Sequence, residues 1–412
     1  MADIKVAILG FGTVGEGVYR TIHSHEEELT AVLGKKVEVA AVLIKNKQKQ
    51  RNISENILIT TDFEEILSLP QLDVVVEAIV GKEPTFTFLK KAISKGCHII
   101  TANKEMFAHH GKELLELAKK NNVSVGFEAT VAGGIPIIQT IRQLLKINQV
   151  RQIQGILNGT SNFILTEMRE KKHSFAAALV QAQENGYAEA DPTNDVEGFD
   201  AFYKTMILSK IAFGIEPNWE EVEREGITSI SIDHIEAAEK LGLRFKHIAS
   251  LNREGSHLVG SVKPALVTKS HPFYHVEGVD NAVCVQTDIV GRISLQGPGA
   301  GMFPTASAVI EDLVYVVQNQ HSNLKLYHAD NDHDLQKIDD AKELWFVHGL
   351  KENMINSQIT WIDQITEEAI IIQATKQELE QLAAKHESIR FFSILGDYET
   401  KNKNKAEALA AL

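Results

Sequence analysis

The chain has 412 residues, 44% of them hydrophobic and 24% charged, and carries a net charge of −13. That length suits roughly two or three domains with a substantial core, and the composition is that of an ordinary soluble globular protein. The negative charge argues against nucleic acid as a principal partner, because phosphate binding needs clustered basic surface. No apolar run reaches the length of a transmembrane helix. Met1-Ala2-Asp3-Ile4-Lys5 runs straight into a strand without a signal-peptide apolar region. Two cysteines, Cys97 and Cys284, are too few for a disulfide framework, and no Cys-x-x-Cys or His-Glu-x-x-His spacing suggests zinc. The expectation is a cytoplasmic, multidomain protein.

Ile4 to Leu9 reads as a buried parallel strand. It leads into Gly10-Phe11-Gly12-Thr13-Val14-Gly15, a complete G-x-G-x-x-G, and then a helical stretch to about Leu29. In that pattern the first glycine makes a tight turn and the second lets backbone approach a pyrophosphate. The third allows close helix–strand packing, with the helix amino terminus facing the phosphates. Strand before and helix after are the context that the motif requires. A second strand, Val37 to Ile44, ends without the acidic residue that usually binds the ribose 2′-hydroxyl of NAD. Lys45, Lys47, Lys49 and Arg51 follow and suit a 2′-phosphate, or form a solvated basic loop; NADP is favoured over NAD, which the loop also admits.

Further strands are expected at Val74–Val80, His98–Thr101 and Val123–Phe127, with helices at Pro84–Ser94 and Lys112–Lys120. This alternation predicts a doubly wound parallel sheet. Ligands sit beyond the carboxyl ends of such strands. Lys104, in Thr101-Ala102-Asn103-Lys104, is therefore placed for a ligand, or else for solvent. After Glu128-Ala129-Thr130-Val131-Ala132-Gly133-Gly134-Ile135-Pro136 the texture changes. Pro136 opens a helix, and a strand at Gln152–Leu157 leads to the turn-rich Asn158-Gly159-Thr160-Ser161-Asn162.

The segment Gly186 to Lys204 gathers five carboxylates around an Asp-Pro pair. Asp200 and Lys204, four residues apart, share a helix face. A lysine beside carboxylates binds charged substrates and moves protons; the same spacing also describes an exposed ion pair of little consequence. The helix should stop at Gly214. Alternating segments from Leu258 to Val290 predict a second, mixed sheet. Gly297-Pro298-Gly299-Ala300-Gly301 is either a close-approach loop or a flexible one, and an apolar helix from Thr305 to Val317 follows. His321 to Ala341 reads as a polar linker. Beyond it the order is strand, strand, strand, helix, strand at Leu344–Val347, Thr360–Gln364, Ala369–Gln373, Lys376–Lys385 and Ile389–Leu395. The end, Asn402 to Leu412, is expected to fray.

These motifs, in their order and spacing over about the first 320 residues, closely resemble homoserine dehydrogenase. The resemblance implies NAD(P)H-dependent interconversion of L-aspartate 4-semialdehyde and L-homoserine, a step in threonine, methionine and isoleucine synthesis. It implies a Rossmann domain at 1–135, a substrate-binding and dimerisation domain at 136–320 whose last helix packs back on the first, a linker at 321–342 and a small domain at 343–412. By matching position, Lys204 would be the proton donor to the aldehyde oxygen and Asp200 its support. Glu189 and Asp195 would hold the amino-acid part of the substrate, and Lys104 would lie near substrate and nicotinamide ribose. Gly10 to Gly15, Lys45, Gly186 and Gly301 would line the cofactor. Glu128, Val131, Gly133 and Ile135 match a loop that binds sodium or potassium, mainly through backbone carbonyls. A homodimer is implied, with a higher oligomer through the carboxyl-terminal piece.

That piece resembles an ACT regulatory domain only in part. Gly349-Leu350-Lys351-Glu352-Asn353-Met354-Ile355 stands where such a domain opens its first amphipathic helix, and shows none; a degenerate domain used for assembly is expected. Two rival readings are an aspartate-semialdehyde dehydrogenase, which needs an activated cysteine, and a dinucleotide sensor without catalysis. The first meets cysteines that look like small core residues. The second has no use for Glu189, Asp195, Asp200 and Lys204 together.

Overall fold

The computed structural model describes residues 3–144, 146–255, 257–319, 342–350, 359–364, 369–386 and 388–400. The polar stretch 321–341, the segment 351–355 and the tail 402–412 lie outside these described residues.

Six strands, β1 (Ile4–Leu9), β2 (Val37–Leu43), β3 (Leu58–Thr60), β4 (Val74–Glu77), β5 (His98–Thr101) and β6 (Val125–Gly126), form one parallel sheet. Their order is β3-β2-β1-β4-β5-β6. Five helices connect them: α1 (Thr13–Ser24), α2 (Glu26–Leu33), α3 (Phe63–Leu67), α4 (Thr85–Ser94) and α5 (Lys104–Lys120). The strands are β-branched and buried on both faces, as a sheet covered by helices demands. Strand order reverses between β1 and β4, so the ligand crevice opens at their carboxyl ends.

Of the boundaries that differ from the sequence expectation, three have a visible local cause. The first helical stretch is two helices, because the backbone breaks at His25. The strand expected to reach Val80 ends at Glu77, whose carboxylate accepts a hydrogen bond from the backbone of Ile79 and turns the chain. Helix α5 begins at Lys104, eight residues before the expected Lys112. Asn103 caps it, its side-chain oxygen accepting from Met106 N at 3.0 Å.

The second part contains α6 (Ile137–Leu144), β7 (Val150–Ile156), α7 (Gly159–Lys171), α8 (Phe175–Glu184), α9 (Thr193–Val196), α10 (Phe199–Phe213), β8 (Glu223–Arg224) and α11 (Ile232–Leu241). There follow β9 (Arg244–Glu254), β10 (His257–Val267), β11 (Asp280–Thr287), β12 (Arg292–Pro298) and α12 (Met302–Gln318). The chain closes with β13 (Glu343–His348), β14 (Thr360–Gln364), β15 (Ala369–Ala374), α13 (Lys376–Lys385) and β16 (Arg390–Leu395). The strands make a mixed sheet in the order β12-β11-β7-β9-β10-β16-β13-β15-β14, with β8 paired to β10. The carboxyl-terminal strands join it through two parallel pairings, Leu266 with Ile394 and Val267 with Leu395.

Helices α8 and α11 and strand β9 were not anticipated. Alternation in β9 is lost because Lys246 and His247 are both buried, each 2% exposed. Helix α10 is buried nearly all round. It packs on β9 and β10 and on α5, which brings Asp200 of α10 to Lys104 at the start of α5.

Helix α12 returns to pack on α1. Contact is so close that a Cβ on Gly17 would lie 2.7 Å from the carbonyl oxygen of Met302 and 2.8 Å from its Cγ. Alanine in a helix is normally about 1 kcal/mol better than glycine, but overpacking costs about 1–3 kcal/mol. Gly17→Ala is therefore expected to lower the urea midpoint; a stabilised variant would place α12 elsewhere.

Candidate active site

The glycine loop behaves as three different residues. Gly10 has φ +92°, and a Cβ there would lie 2.6 Å from the carbonyl oxygen of Ala78 just after β4, so only glycine fits the turn between β1 and α1. A Cβ on Gly15 would lie 2.0 Å from the carbonyl oxygen of Gly10. Around Gly12, which caps α1, there is open space. Two glycines close the turn and the middle one leaves the helix amino terminus accessible, which fits a pyrophosphate. Phe11 packs edge-on to Tyr19. Thr13 is exposed and Val14 half-buried at the start of α1.

Lys45, Lys47 and Lys49 are exposed beyond β2, whereas Arg51 braces their loop by donating to the carbonyls of Asn46 and Lys49. Gly301 caps α12 at φ +122°. Gly186, at φ +73°, ends the turn after α8 in open space.

The charged site is built where α5 meets α10. Gly198, at φ +81°, lets the chain turn into α10, and a Cβ there would press on the ring of His247 at 3.0 Å. Two residues on, in the first turn of α10, comes Asp200, only 3% exposed. It accepts from Lys204 Nζ at 2.7 Å and from Asn158 Nδ2 at 2.9 Å, and its other oxygen is paired with Lys104 Nζ. Lys204, 7% exposed, also donates to the carbonyl of Leu157 at 2.6 Å. Among the described residues, two of its three N–H donors are thus engaged.

Burial alone would raise the Asp200 carboxyl, but Lys104 and Lys204 override it and hold the group well below the usual carboxylate range. Burial lowers the Lys204 ammonium from its ordinary 10.5, against the opposing pull of Asp200. Lys104 is raised, chiefly by Asp200, with smaller help from Asp195 and Glu189. Asp195 is half-buried, is raised by burial, and accepts from Asn158 Nδ2 at 2.7 Å. Glu189 is exposed on the loop before α9 and contributes through its field.

The structure therefore brings together Lys104, Asp195, Asp200 and Lys204, with Glu189 at the rim. Phe202 and Tyr203 point elsewhere in α10, packing with Trp219 and His109. The loop carrying Glu128, Val131, Gly133 and Ile135 is separate. It lies against residues 298–300: a Cβ on Gly133 would meet the Gly299 carbonyl at 2.3 Å, and Gly134 N donates to Pro298 O. The Glu128 carboxylate accepts from the backbones of Ile138 and Gln139, and burial followed by the nearby Asp312 raises it to about 7. Among the described residues no group of three or more His, Cys, Asp or Glu side chains could hold a metal, and no helix is long and apolar enough to cross a membrane.

Asn158 was quoted only as part of a turn motif, yet its side chain bridges Asp195 and Asp200 while its oxygen caps α7 at Ser161 N. An asparagine directly after a buried strand was the available signal. Asn158→Asp keeps the capping oxygen but sets a third carboxylate against the two. Its stability deficit in urea is expected to be larger at about pH 8 than at about pH 5, where the carboxyls start to share protons; equal deficits would show that Asn158 does not bridge them.

Comparison with known proteins agrees with this geometry. Residues 10–128 match the family model described as homoserine dehydrogenase, NAD binding domain, and residues 136–314 match that of homoserine dehydrogenase. The homoserine dehydrogenase of Bacillus subtilis is 41% identical over 320 residues, 77% of this chain and 74% of that protein. That of Neisseria gonorrhoeae is 42% identical over 318 residues, 77% and 73%. The crystal structure of a homoserine dehydrogenase from Thiobacillus denitrificans superimposes with a TM-score of 0.86 at 34% identity, covering 96% of this chain and 98% of that one. A hyperthermophilic archaeal homoserine dehydrogenase solved in complex with NADPH gives a TM-score of 0.68 at 28% identity, covering 79% and 100%. With a nucleotide-ready glycine turn, two lysines on one buried aspartate and these relatives, the chain belongs to the homoserine dehydrogenase family, NAD(P)-dependent oxidoreductases.

Proposed function

We propose that the chain interconverts L-homoserine and L-aspartate 4-semialdehyde, with Lys204 carrying the proton and NADP preferred to NAD. The observation that carries this reading is the buried Lys204, hydrogen-bonded to Asp200 and Leu157 with, among the described residues, one donor to spare. When bound, the nicotinamide supplies or accepts the hydride. In reduction the aldehyde oxygen gains negative charge and takes a proton from the Lys204 ammonium. In oxidation neutral Lys204 accepts the hydroxyl proton, which burial makes easier by lowering its pKa.

Asp200 keeps the two ammonium groups aligned, and preorganised positive charge at a developing alkoxide is worth about 3 kcal/mol. Asp195 and Glu189 offer carboxylates for the substrate ammonium. Lys104 offers a cation to substrate and nicotinamide ribose from the end of β5. Exposed Lys45 supports binding of a 2′-phosphate. Gly186 and Gly301 leave backbone accessible to the cofactor.

The main-chain carbonyls of Glu128, Val131, Gly133 and Ile135 are the ligands for sodium or potassium in this reading. It is supported by the prior engagement of the Glu128 carboxylate, while its carbonyl, which accepts from Val131 N at 3.3 Å, keeps a second lone pair for a cation. A homodimer is supported by the edge position of β12 and by exposed Ile289 and Val290 beside it, with the carboxyl-terminal strands serving assembly. A thioester mechanism is disfavoured because both cysteines are buried, and burial pushes the Cys97 thiol up to about 11.

The test is homoserine-dependent formation of reduced nicotinamide, followed with NADP and with NAD. Lys204→Ala should lower turnover by two orders of magnitude or more, roughly the worth of the lost charge, while NADPH affinity stays near that of the unaltered chain. A variant with normal turnover would remove Lys204 from the mechanism, and a better rate with NAD would remove Lys45 from cofactor choice.

A further inference from the structure

Glu77 is a carboxylate with 0% exposure at the carboxyl end of β4, beside the point where strand order reverses. Among the described residues its hydrogen-bond partners are neutral. One oxygen accepts from Ile79 N at 2.7 Å, the other from Thr101 Oγ1 at 2.6 Å. A buried charge without a counter-ion is costly, and burial pushes this carboxyl up to about 7 against the pull of those bonds. Its contacts show what the group secures.

Thr101 Oγ1, after donating to Glu77, accepts from Asn103 N at 3.0 Å. Asn103 caps α5 and sends its side-chain N–H groups to the carbonyls of Ile79 and Gly81, at 2.9 and 2.7 Å. Lys104 is the next residue, the first of α5, and pairs with Asp200. The turn after β4 and the turn after β5 are thus stitched together through one carboxylate, and the helix that presents Lys104 starts from that stitch.

We propose that Glu77 is a positioning residue for the reaction, fixing the start of α5 so that Lys104 meets Asp200. The inference rests on the reading of Lys104 as a cation facing substrate and cofactor. Glutamine at this site keeps the shape but turns one acceptor into a donor, and that donor faces a threonine oxygen already accepting from Asn103. Thr101→Val breaks the same stitch from its other side.

The experiment compares kcat/KM for L-homoserine at saturating NADP, together with melting temperature, for the full chain and for E77Q, T101V, K104A, E77Q/K104A and T101V/K104A. E77Q and T101V should each lose on the order of tenfold, the scale of a misplacement well under 1 Å. Neither should lose anything further in the K104A background. E77Q should melt no lower than the unaltered chain, since an uncompensated buried charge has gone; if E77Q does not fold, T101V decides. Full activity in both single variants overturns the inference. So does the same tenfold loss in the K104A background, which would mean that Glu77 acts elsewhere. If K104A alone retains normal kcat/KM, the reading of Lys104 fails and takes the inference with it. A defective K104A with additive losses sinks the inference alone.

Discussion

One buried carboxylate, Asp200, lies between two ammonium groups delivered by different parts of the chain. Lys104 comes from the end of the parallel sheet, and Lys204 from the next turn of the same helix as Asp200. Two positive charges against one negative leave a net +1 at a site where a reacting oxygen becomes negative. Removing Asp200 would leave the buried Lys204 ammonium without its carboxylate, a change that typically costs about 3–5 kcal/mol. That is why Gly198, Asn158 and the Leu157 carbonyl are built around the cluster: each fixes a direction that flexible side chains would otherwise lose. The aspartate is best understood as the clamp that holds two lysines near each other despite their repulsion.

The same interaction joins the two layers of chemistry. Hydride transfer needs the dinucleotide crevice at the carboxyl ends of β1 and β4, and proton transfer needs α10, which belongs to the second sheet's packing. The Lys104–Asp200 pair spans that boundary. Helix α12 reinforces it from the far side by returning to α1, where Gly17 permits near contact of backbones. A substrate held between the sheets would meet the cofactor from one and the acid from the other, so relative placement of the layers determines reactivity.

Much of this was legible in the residues. The parallel sheet announces itself through apolar strands and the glycine turn, because both depend on local pattern. Asp200 and Lys204 are legible because they are four residues apart on one helix. Lys104 could be placed at a strand end, but its partner could not be foreseen, since the pair is 96 positions apart (200 − 104) and depends on how α5 packs on α10. Strand β9 was hidden by burial of Lys246 and His247, which erases alternation. Helix α5 was begun too late because its cap, Asn103, also reads as part of a loop. Asn158 and Glu77 escaped notice for a related reason: each is one polar residue at the end of an apolar strand, and only the hydrogen bonds reveal the purpose. Glu128 matched a motif, but nothing in its spacing foretold that Ile138 and Gln139 would occupy its carboxylate.

The most direct measurement of the central claim is the pH profile of kcat/KM for homoserine oxidation in Asp200→Asn beside the unaltered chain. Lys204 must be neutral to accept the proton, so the rate should climb with pH along a limb lying below the ordinary lysine value of 10.5. Asp200 pulls that limb upward, and burial pulls it down. With the carboxylate neutralised, burial and Lys104 pull down against the smaller upward pull of Asp195, so the limb should move to lower pH while the maximal rate falls. A limb that stays in place, or moves up, would contradict the account of Asp200 as the clamp on a proton-transferring lysine.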